Sequence, residues 1–272
     1  MTAFEQASIN SLIDQSLETL KKDRDREVLL RRNGINLKAQ TLEEIGKDLG
    51  ITRERVRQIE KAALTKLRER ADHSHDFAKQ VAASLNKKGG ILSLNGLKNA
   101  LTISDSIEPH VVFLLKINPA VVCTDKNDQY SQVIAKADLY DETKLNKLHG
   151  QLVEIIKAQT KPSKFAAIHK QIDGPHKADS LMELASASNA IAELDGLWGL
   201  AVWPEVNPKS IRDKIYLILK KTGRPLHFTD ISQKISTLSA NPKKVTTQAV
   251  HNELIKDKRF VLIGRGIYAL GE

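Results

Sequence analysis

Arg53, Glu54, Arg57 and Gln58 place two forked cations, a carboxylate and an amide within one short stretch, with Thr52, Arg55 and Lys61 beside them. Arg donates bidentately to guanine, Gln pairs bidentately with adenine by donating to N7 and accepting from N6, and Glu accepts from cytosine, so the first four suit base reading in the major groove of double-stranded DNA. Thr52, Arg55 and Lys61 suit backbone phosphates. The plain alternative is a charged helix face that meets only solvent. Either way the chemistry is recognition, because no catalytic pattern accompanies it. The chain has no G-x-x-x-x-G-K-S loop, dinucleotide fingerprint, G-x-S-x-G elbow or H-E-x-x-H pair. Asp141, Glu142 and Lys144 lack the strand context of a nuclease, and acidic residues also suit a helix N-terminus. The expectation is a protein that is no enzyme and needs no cofactor.

The elements that must carry these residues are legible in the segment 41–70. Thr41 followed by Glu44 is a capping box, so a helix starts at Leu42 and shows Leu42, Ile45 and Leu49 at helical spacing. Gly50 supplies the left-handed residue that ends it. Thr52 caps a second helix whose inner face is Val56, Ile59, Ala63 and Leu67. Two helices joined by so short a turn, with one apolar seam, make a helix-turn-helix. The outward stripe is then Arg53, Glu54, Arg57, Gln58 and Lys61.

The run TLEEIGKDLGITRERVRQIEKAALTKLR resembles region 4 of primary bacterial sigma factors through both helices without a gap. That resemblance implies that Arg53, Glu54, Arg57 and Gln58 face bases of an upstream promoter element, with Arg55 and Lys61 near the backbone. Residues 9–35, with ETLKKDRDREVLLRRNGI, resemble the helices that open the same domain and dock on the beta flap of RNA polymerase. LKKDRDREVL stands where that family usually has a proline-containing pattern.

The chain of 272 residues has a net charge of +9, and the distribution matters more than the sum. Residues 207–272 hold 13 Lys and Arg against 5 Asp and Glu, while no arginine lies between Arg70 and Arg212. Arginine is the side chain best shaped for bidentate phosphate and base contacts, so the centre reads as spacer or protein-contact surface. No apolar run approaches a membrane span and no secretory signal opens the sequence, so the expected location is the cytoplasm. A lone Cys123 reads as a small apolar core residue. His73, His75 and Asp76 complete no metal-ligand set, and the stretch 71–76 reads as a polar linker. Aromatics make up 4% and are dispersed, so no platform exists for an unpaired promoter strand, and the chain is not expected to open promoters alone.

Beyond the linker, helices followed by candidate hairpins recur. Helical faces at Phe77–Leu85, Leu94–Leu101 and Pro109–Ile117 precede strands at Ala120–Cys123 and Gln129–Ile134. Helices at Leu145–Ala158, Phe165–Ile172 and Ala178–Leu194 precede a hairpin in Gly196–Trp203. Helices at Ser210–Lys220, Phe228–Ile235 and Val245–Asp257 precede two strands within Arg259–Leu270. The predicted fold is mainly α, a helix-turn-helix followed by tandem winged-helix-like α+β units with short β-hairpin wings. The units expected are 1–72, 73–140, 141–206 and 207–272.

The last unit, with SIRDKIYLILKKTGRPLHFTDISQKI, VTTQAVHNELIKDKRF and GRGIYAL, resembles the HARE-HTH winged-helix family. That implies a nucleic-acid-contacting or protein-docking module. Its own residues suit DNA. Lys243 and Lys244 precede the third helix, Thr246, Thr247, Gln248, His251 and Asn252 are expected to face outward, and Arg265 tips the wing over the backbone. Tyr216, Phe228, Phe260 and Tyr268 read as core. The sum is a sequence-specific regulator of transcription initiation acting with RNA polymerase. The alternatives are a polymerase-bound adaptor, or an accessory subunit of a DNA modification or restriction system.

Overall fold

Threonine caps start the third and fourth of the opening helices, and glycines end the second and third. In the computed structural model, which describes residues 6–237 and 245–271, the opening helices are α1 (Gln6–Glu18), α2 (Asp23–Asn33), α3 (Leu42–Leu49) and α4 (Arg53–Arg70). The Thr41 hydroxyl accepts from Glu44 N at 3.2 Å while the Glu44 carboxylate accepts from Thr41 N at 2.7 Å, closing the expected capping box. Gly50 leaves α3 at φ +65°, a conformation that costs a residue with a Cβ about 1–2 kcal/mol.

The remainder repeats one order three times, each time helix, strand, two helices and a hairpin. First come α5 (Asp76–Lys88), β1 (Ile91–Ser93), α6 (Leu94–Leu101), α7 (Glu108–Ile117), β2 (Val121–Cys123) and β3 (Val133–Lys136). Next come α8 (Glu142–Ala158), β4 (Ser163–Lys164), α9 (Phe165–His169), α10 (Ala178–Ala187), β5 (Ile191–Leu194) and β6 (Leu197–Leu200). Last come α11 (Ile211–Thr222), β7 (Leu226–His227), α12 (Phe228–Thr237), α13 (Thr247–Lys256), β8 (Phe260–Gly264) and β9 (Ile267–Leu270). The sheets run β1-β3-β2, β4-β6-β5 and β7-β9-β8, antiparallel, so the final hairpin strand is central every time. The fold is mainly helical with winged-helix-like units, as the pattern predicts.

Three details depart from the sequence reading. The opening strand of each sheet is missing from that reading, because two or three residues are too few to show alternation. The strand expected at Gln129–Ile134 lies at Val133–Lys136, since the Asn127 side chain accepts from Gln129 N at 2.8 Å and Tyr130 N at 2.9 Å and folds those residues into a turn. The helix expected over Ala178–Leu194 stops at Ala187. There the Ala187 carbonyl accepts from Ser131 N, and Ile191–Leu194 pair with Leu197–Leu200 around Asp195 (φ 53°) and Gly196 (φ 77°). Positive φ at both turn residues is the two-residue hairpin geometry that Asp-Gly favours.

The described chain divides into two compact units, Met1–Leu152 with Ile172–Asn189, and Val153–Gln171 with Ala190–Glu272. In the first, α4 belongs to two apolar clusters. Val56 and Ile59 pack with Val28 and Ile45, whereas Ala63 and Leu67 join a larger cluster running from Ile9 in α1 through Phe77 and Phe113 to Ile134. A single core therefore passes straight across residue 72. In the second unit Ile215, Ile231, Val250, Leu254, Phe260 and Tyr268 form the core between α11, α12, α13 and the last sheet, with Tyr216 and Phe228 half-buried against it.

Candidate nucleic-acid interface

Thr52 starts α4 by accepting from Arg55 N at 3.2 Å, and Val56 and Ile59 anchor the inner side. That fixes the outward stripe, on which Arg53, Glu54, Arg55, Arg57, Gln58 and Lys61 are all exposed. Arg57 donates to both oxygens of Glu54, at 2.8 and 2.7 Å, Gln58 donates to Glu54 at 3.4 Å, and Arg55 donates to Gln58 at 3.1 Å. The Arg57 hydrogen bonds hold the Glu54 carboxyl below the usual carboxylate range and raise the Arg57 guanidinium in turn. Three of the candidate reading side chains, Glu54, Arg57 and Gln58, thus satisfy one another and Arg55 on an open face. Water already competes for those bonds, so exchanging them for base edges involves little desolvation.

Two residues that the motif reading passes over support this face. A Cβ on Gly46 would lie 2.7 Å from the Ile51 carbonyl oxygen, so only glycine lets the turn fold back against α3. Arg32 lines an open groove with Thr41, Leu42, Glu43 and Arg53, and donates to the Gln40 carbonyl at 3.2 Å. Gly46 could have been flagged as a glycine inside a helix, a costly choice without a packing reason. Arg32 carries no local signal.

The third helices of the repeats differ sharply in what they leave open. α7 exposes only Pro109 and packs against α1, α2 and α4. Arg68 of α4 donates to the Lys116 carbonyl at 2.7 Å, and His110 meets Asn36 at 3.2 Å. α10 lies on β1, where Ser93 N and Oγ donate to Glu183 at 3.2 and 2.8 Å and Lys88 approaches the same carboxylate at 3.4 Å. In both places the helix that could enter a groove is consumed by protein packing.

α13 is different. Thr246 caps it by accepting from Ala249 N at 3.2 Å, and Thr247, Gln248 and Asn252 are exposed, with Gln248 donating to Asn252 at 3.0 Å. His251, expected outward, instead packs on Phe228 at 4.7 Å between ring centroids and meets Tyr268 edge-on at 6.1 Å. Its position one helical turn before Leu254, whose side chain is buried, turns the ring toward the core, so it stands apart from the polar stripe. Arg265 is exposed in the wing turn, as expected. Lys243 and Lys244 lie outside the described residues.

The remaining candidates resolve into structural roles. His75 Nδ1 accepts from Ala78 N at 3.1 Å and caps α5, and His73 bonds the Arg68 carbonyl at 3.2 Å. Among the described residues no group of three or more His, Cys, Asp or Glu is placed to hold a metal. Asp141 accepts from Lys144 N at 2.7 Å at the start of α8, a cap rather than a nuclease carboxylate. Cys123 is half-buried at the edge of the large core, and burial pushes its thiol up to about 12. No helix among the described residues is long and apolar enough to cross a membrane.

An exposed polar stripe on a capped second helix, after a glycine turn, is the geometry on which comparison with known proteins bears. Residues 16–69 match the family model of sigma-70, region 4. The same segment is similar to the RNA polymerase sigma factor RpoD of Helicobacter pylori strain ATCC 700392 / 26695, at 48% identity over 64 residues. RpoD of strain J99 / ATCC 700824 matches at the same 48%. The aligned stretch is 23% of this chain and 9% of the relative, so the chain spans only about a tenth of the curated relatives it matches. No solved structure matches. The region 4-like segment thus covers α2, α3 and nearly all of α4, and ends before the first winged-helix repeat.

Proposed function

We propose that this chain is a sequence-specific DNA-binding regulator of transcription initiation, located in the cytoplasm, whose α4 reads a promoter-like element through Arg53, Glu54, Arg57 and Gln58. Thr52, Arg55 and Lys61 hold the backbone beside it. The observation that carries this reading is the exposed, mutually hydrogen-bonded stripe on α4 within a segment matching sigma-70 region 4. The final unit, taken as HARE-HTH-like, grips neighbouring DNA with Thr246, Thr247, Gln248 and Asn252 of α13. The centre holds the reader in place through α7. That gives the arginine-free segment a purpose that requires no DNA contact. Two modest grips on one duplex raise the overall affinity through effective concentration.

RNA polymerase is the proposed partner, by similarity to the RpoD segment. The rival reading, an adaptor held on the polymerase flap by apolar faces of α1 and α2, is weakened by Ile9, Ile13, Leu17 and Leu29, all buried in this chain's own core. Any polymerase contact by these helices uses their polar outer faces.

The test is selection of bound duplexes from a random pool by the full chain and by the R53A/E54A/R57A/Q58A variant. An enriched motif that the variant loses supports the reading. Equal, motif-free and salt-sensitive binding by both proteins would remove α4 as the reader. The single variant R57A should relax preference at one base pair by about 5- to 100-fold. A uniform loss on every sequence would contradict its role.

A further inference from the structure

Within the first compact unit, the arginine-free centre holds a cavity of about 360 Å³ where the end of α5, the end of β3 and the start of α10 converge. Gly89 and Gly90 line it, at φ +87° and +100°. A Cβ on Gly89 would fall 2.7 Å from the Lys177 side chain, and one on Gly90 would fall 3.1 Å from Leu139 and 3.2 Å from the Tyr140 ring. Two consecutive glycines thus let Lys177, Leu139 and Tyr140 come up against the backbone and wall the cavity.

The lining combines two kinds of surface. One part is apolar, with Leu139 49% exposed next to Pro175 and the buried Tyr140 ring. The other is polar and basic, from Lys136, Lys177, His176 and Asn86, and no carboxylate is among the described residues that line the cavity. Lys136 approaches Asp138 at 3.2 Å, but that carboxylate is 64% exposed and outside the lining. Lys177 is exposed and pairs with no described carboxylate. The Tyr140 hydroxyl and His176 Nδ1 lie 3.2 Å apart, with the two rings 28° from parallel, so the aromatic wall is held in place.

From this arrangement we infer that the cavity binds a small organic anion with an apolar body, the body against Leu139, Pro175 and the Tyr140 ring and the anionic group on Lys136 and Lys177. The inference is independent of DNA reading by α4. Small-molecule sites join an apolar lining to a few convergent polar groups, and a cavity of this size suits a compact ligand. Covering Leu139 supplies affinity by removing apolar surface from water, and the ammonium groups set the sign of the charge accepted. A nucleic-acid phosphate would satisfy the lysines but leave the leucine, proline and tyrosine surface uncovered. A bound anion touches α5, β3 and α10 together and so holds α10 on the first repeat, a position from which a small metabolite acts on the central segment.

Calorimetric titration of the full chain uses benzoate and octanoate as probes. Benzyl alcohol and octanol are their uncharged counterparts, and inorganic phosphate is an anion without an apolar body. At least one carboxylate is expected to bind at a single site, about ten-fold or more tighter than its alcohol and than phosphate. Leu139→Ser and Lys177→Met change exposed side chains, so the fold should survive both. Each should weaken carboxylate binding on the order of ten-fold. Leu262→Ser, on the exposed strand β8, should leave it unchanged. The probe should also raise the melting temperature of the wild-type chain, since it binds only the folded state. No binding of either carboxylate would overturn the inference, as would binding that Leu139→Ser and Lys177→Met leave intact or that Leu262→Ser abolishes. Equal binding of acid and alcohol, or of phosphate and carboxylate, would overturn the chemistry assigned to the ligand.

Discussion

Leu67 tests whether the reader helix and the first winged-helix repeat are one folding body. It lies on α4 with no solvent exposure, two turns beyond Ile59, and belongs to the cluster containing Ile9, Phe77, Phe113 and Ile134 rather than to that of Val56 and Ile45. Leu67→Ala removes buried methyl groups from a fully buried site in that cluster. The expected loss is about 3 kcal/mol, within the roughly 2–5 kcal/mol range for leucine truncation. Because one core passes across residue 72, that loss should appear throughout it. Amide hydrogen exchange in α1, α5 and α7 should accelerate roughly a hundred-fold for amides that open globally, alongside the second half of α4. Val56→Ala, in the other cluster, should chiefly loosen α2, α3 and the first half of α4. If Leu67→Ala accelerates exchange in α4 alone and leaves α5 and α7 protected as before, the shared core is not cooperative and the argument from continuous burial fails.

Other consequences are as direct. Gly46→Ala should force α3 away from the turn, because the new Cβ meets backbone at 2.7 Å, and should lower both the melting temperature and DNA affinity; unchanged binding would show that the turn has slack. His110 and His149 are buried, and burial lowers both imidazoles below their ordinary value of 6.5, so both are held neutral. The unfolded chain then binds protons first as pH falls, and stability present above about pH 6.5 should decline below it. Glu60, raised by burial, acts in the opposite direction. A melting temperature that does not fall between pH 7.5 and 5.5, both roughly chosen to bracket the histidine range, would contradict this. Cys123 should resist a thiol reagent at mildly alkaline pH in the folded protein and react on denaturation, since burial raises its thiol to about 12; rapid labelling of the native chain would contradict its burial.

The helix-turn-helix is legible in sequence because everything that specifies it is local. Thr41 with Glu44, Thr52, Gly50 and the three- and four-residue spacing of Val56, Ile59, Ala63 and Leu67 each act within a turn or two of helix. The caps therefore appear in the structure where the residues place them. The triple recurrence of helices and hairpins is visible for the same reason. The short strands β1, β4 and β7 are not, because they exist only where the far edge of a hairpin captures two or three residues already extended before a helix. The Asp195-Gly196 hairpin was readable in principle, yet the apolar run before it suits a helix equally well until a partner strand is present.

What each helix face does was settled by tertiary structure. Nothing in EPHVVFLLKI says that α7 is surrounded by α1, α2 and α4, nor does ADSLMELASA say that α10 rests on β1. An apolar stripe announces that a face will be covered, but its partner is chosen by shape and charge across long separations in sequence. His251 shows the limit at one residue, since a polar side chain beside a helical stripe turned to the aromatic rings of Phe228 and Tyr268. Local sequence determined which segments would be helices and where they would stop. Packing decided which helices keep a face free: of the third helices of the three repeats, α13 keeps its polar stripe exposed, while α7 and α10 are largely covered.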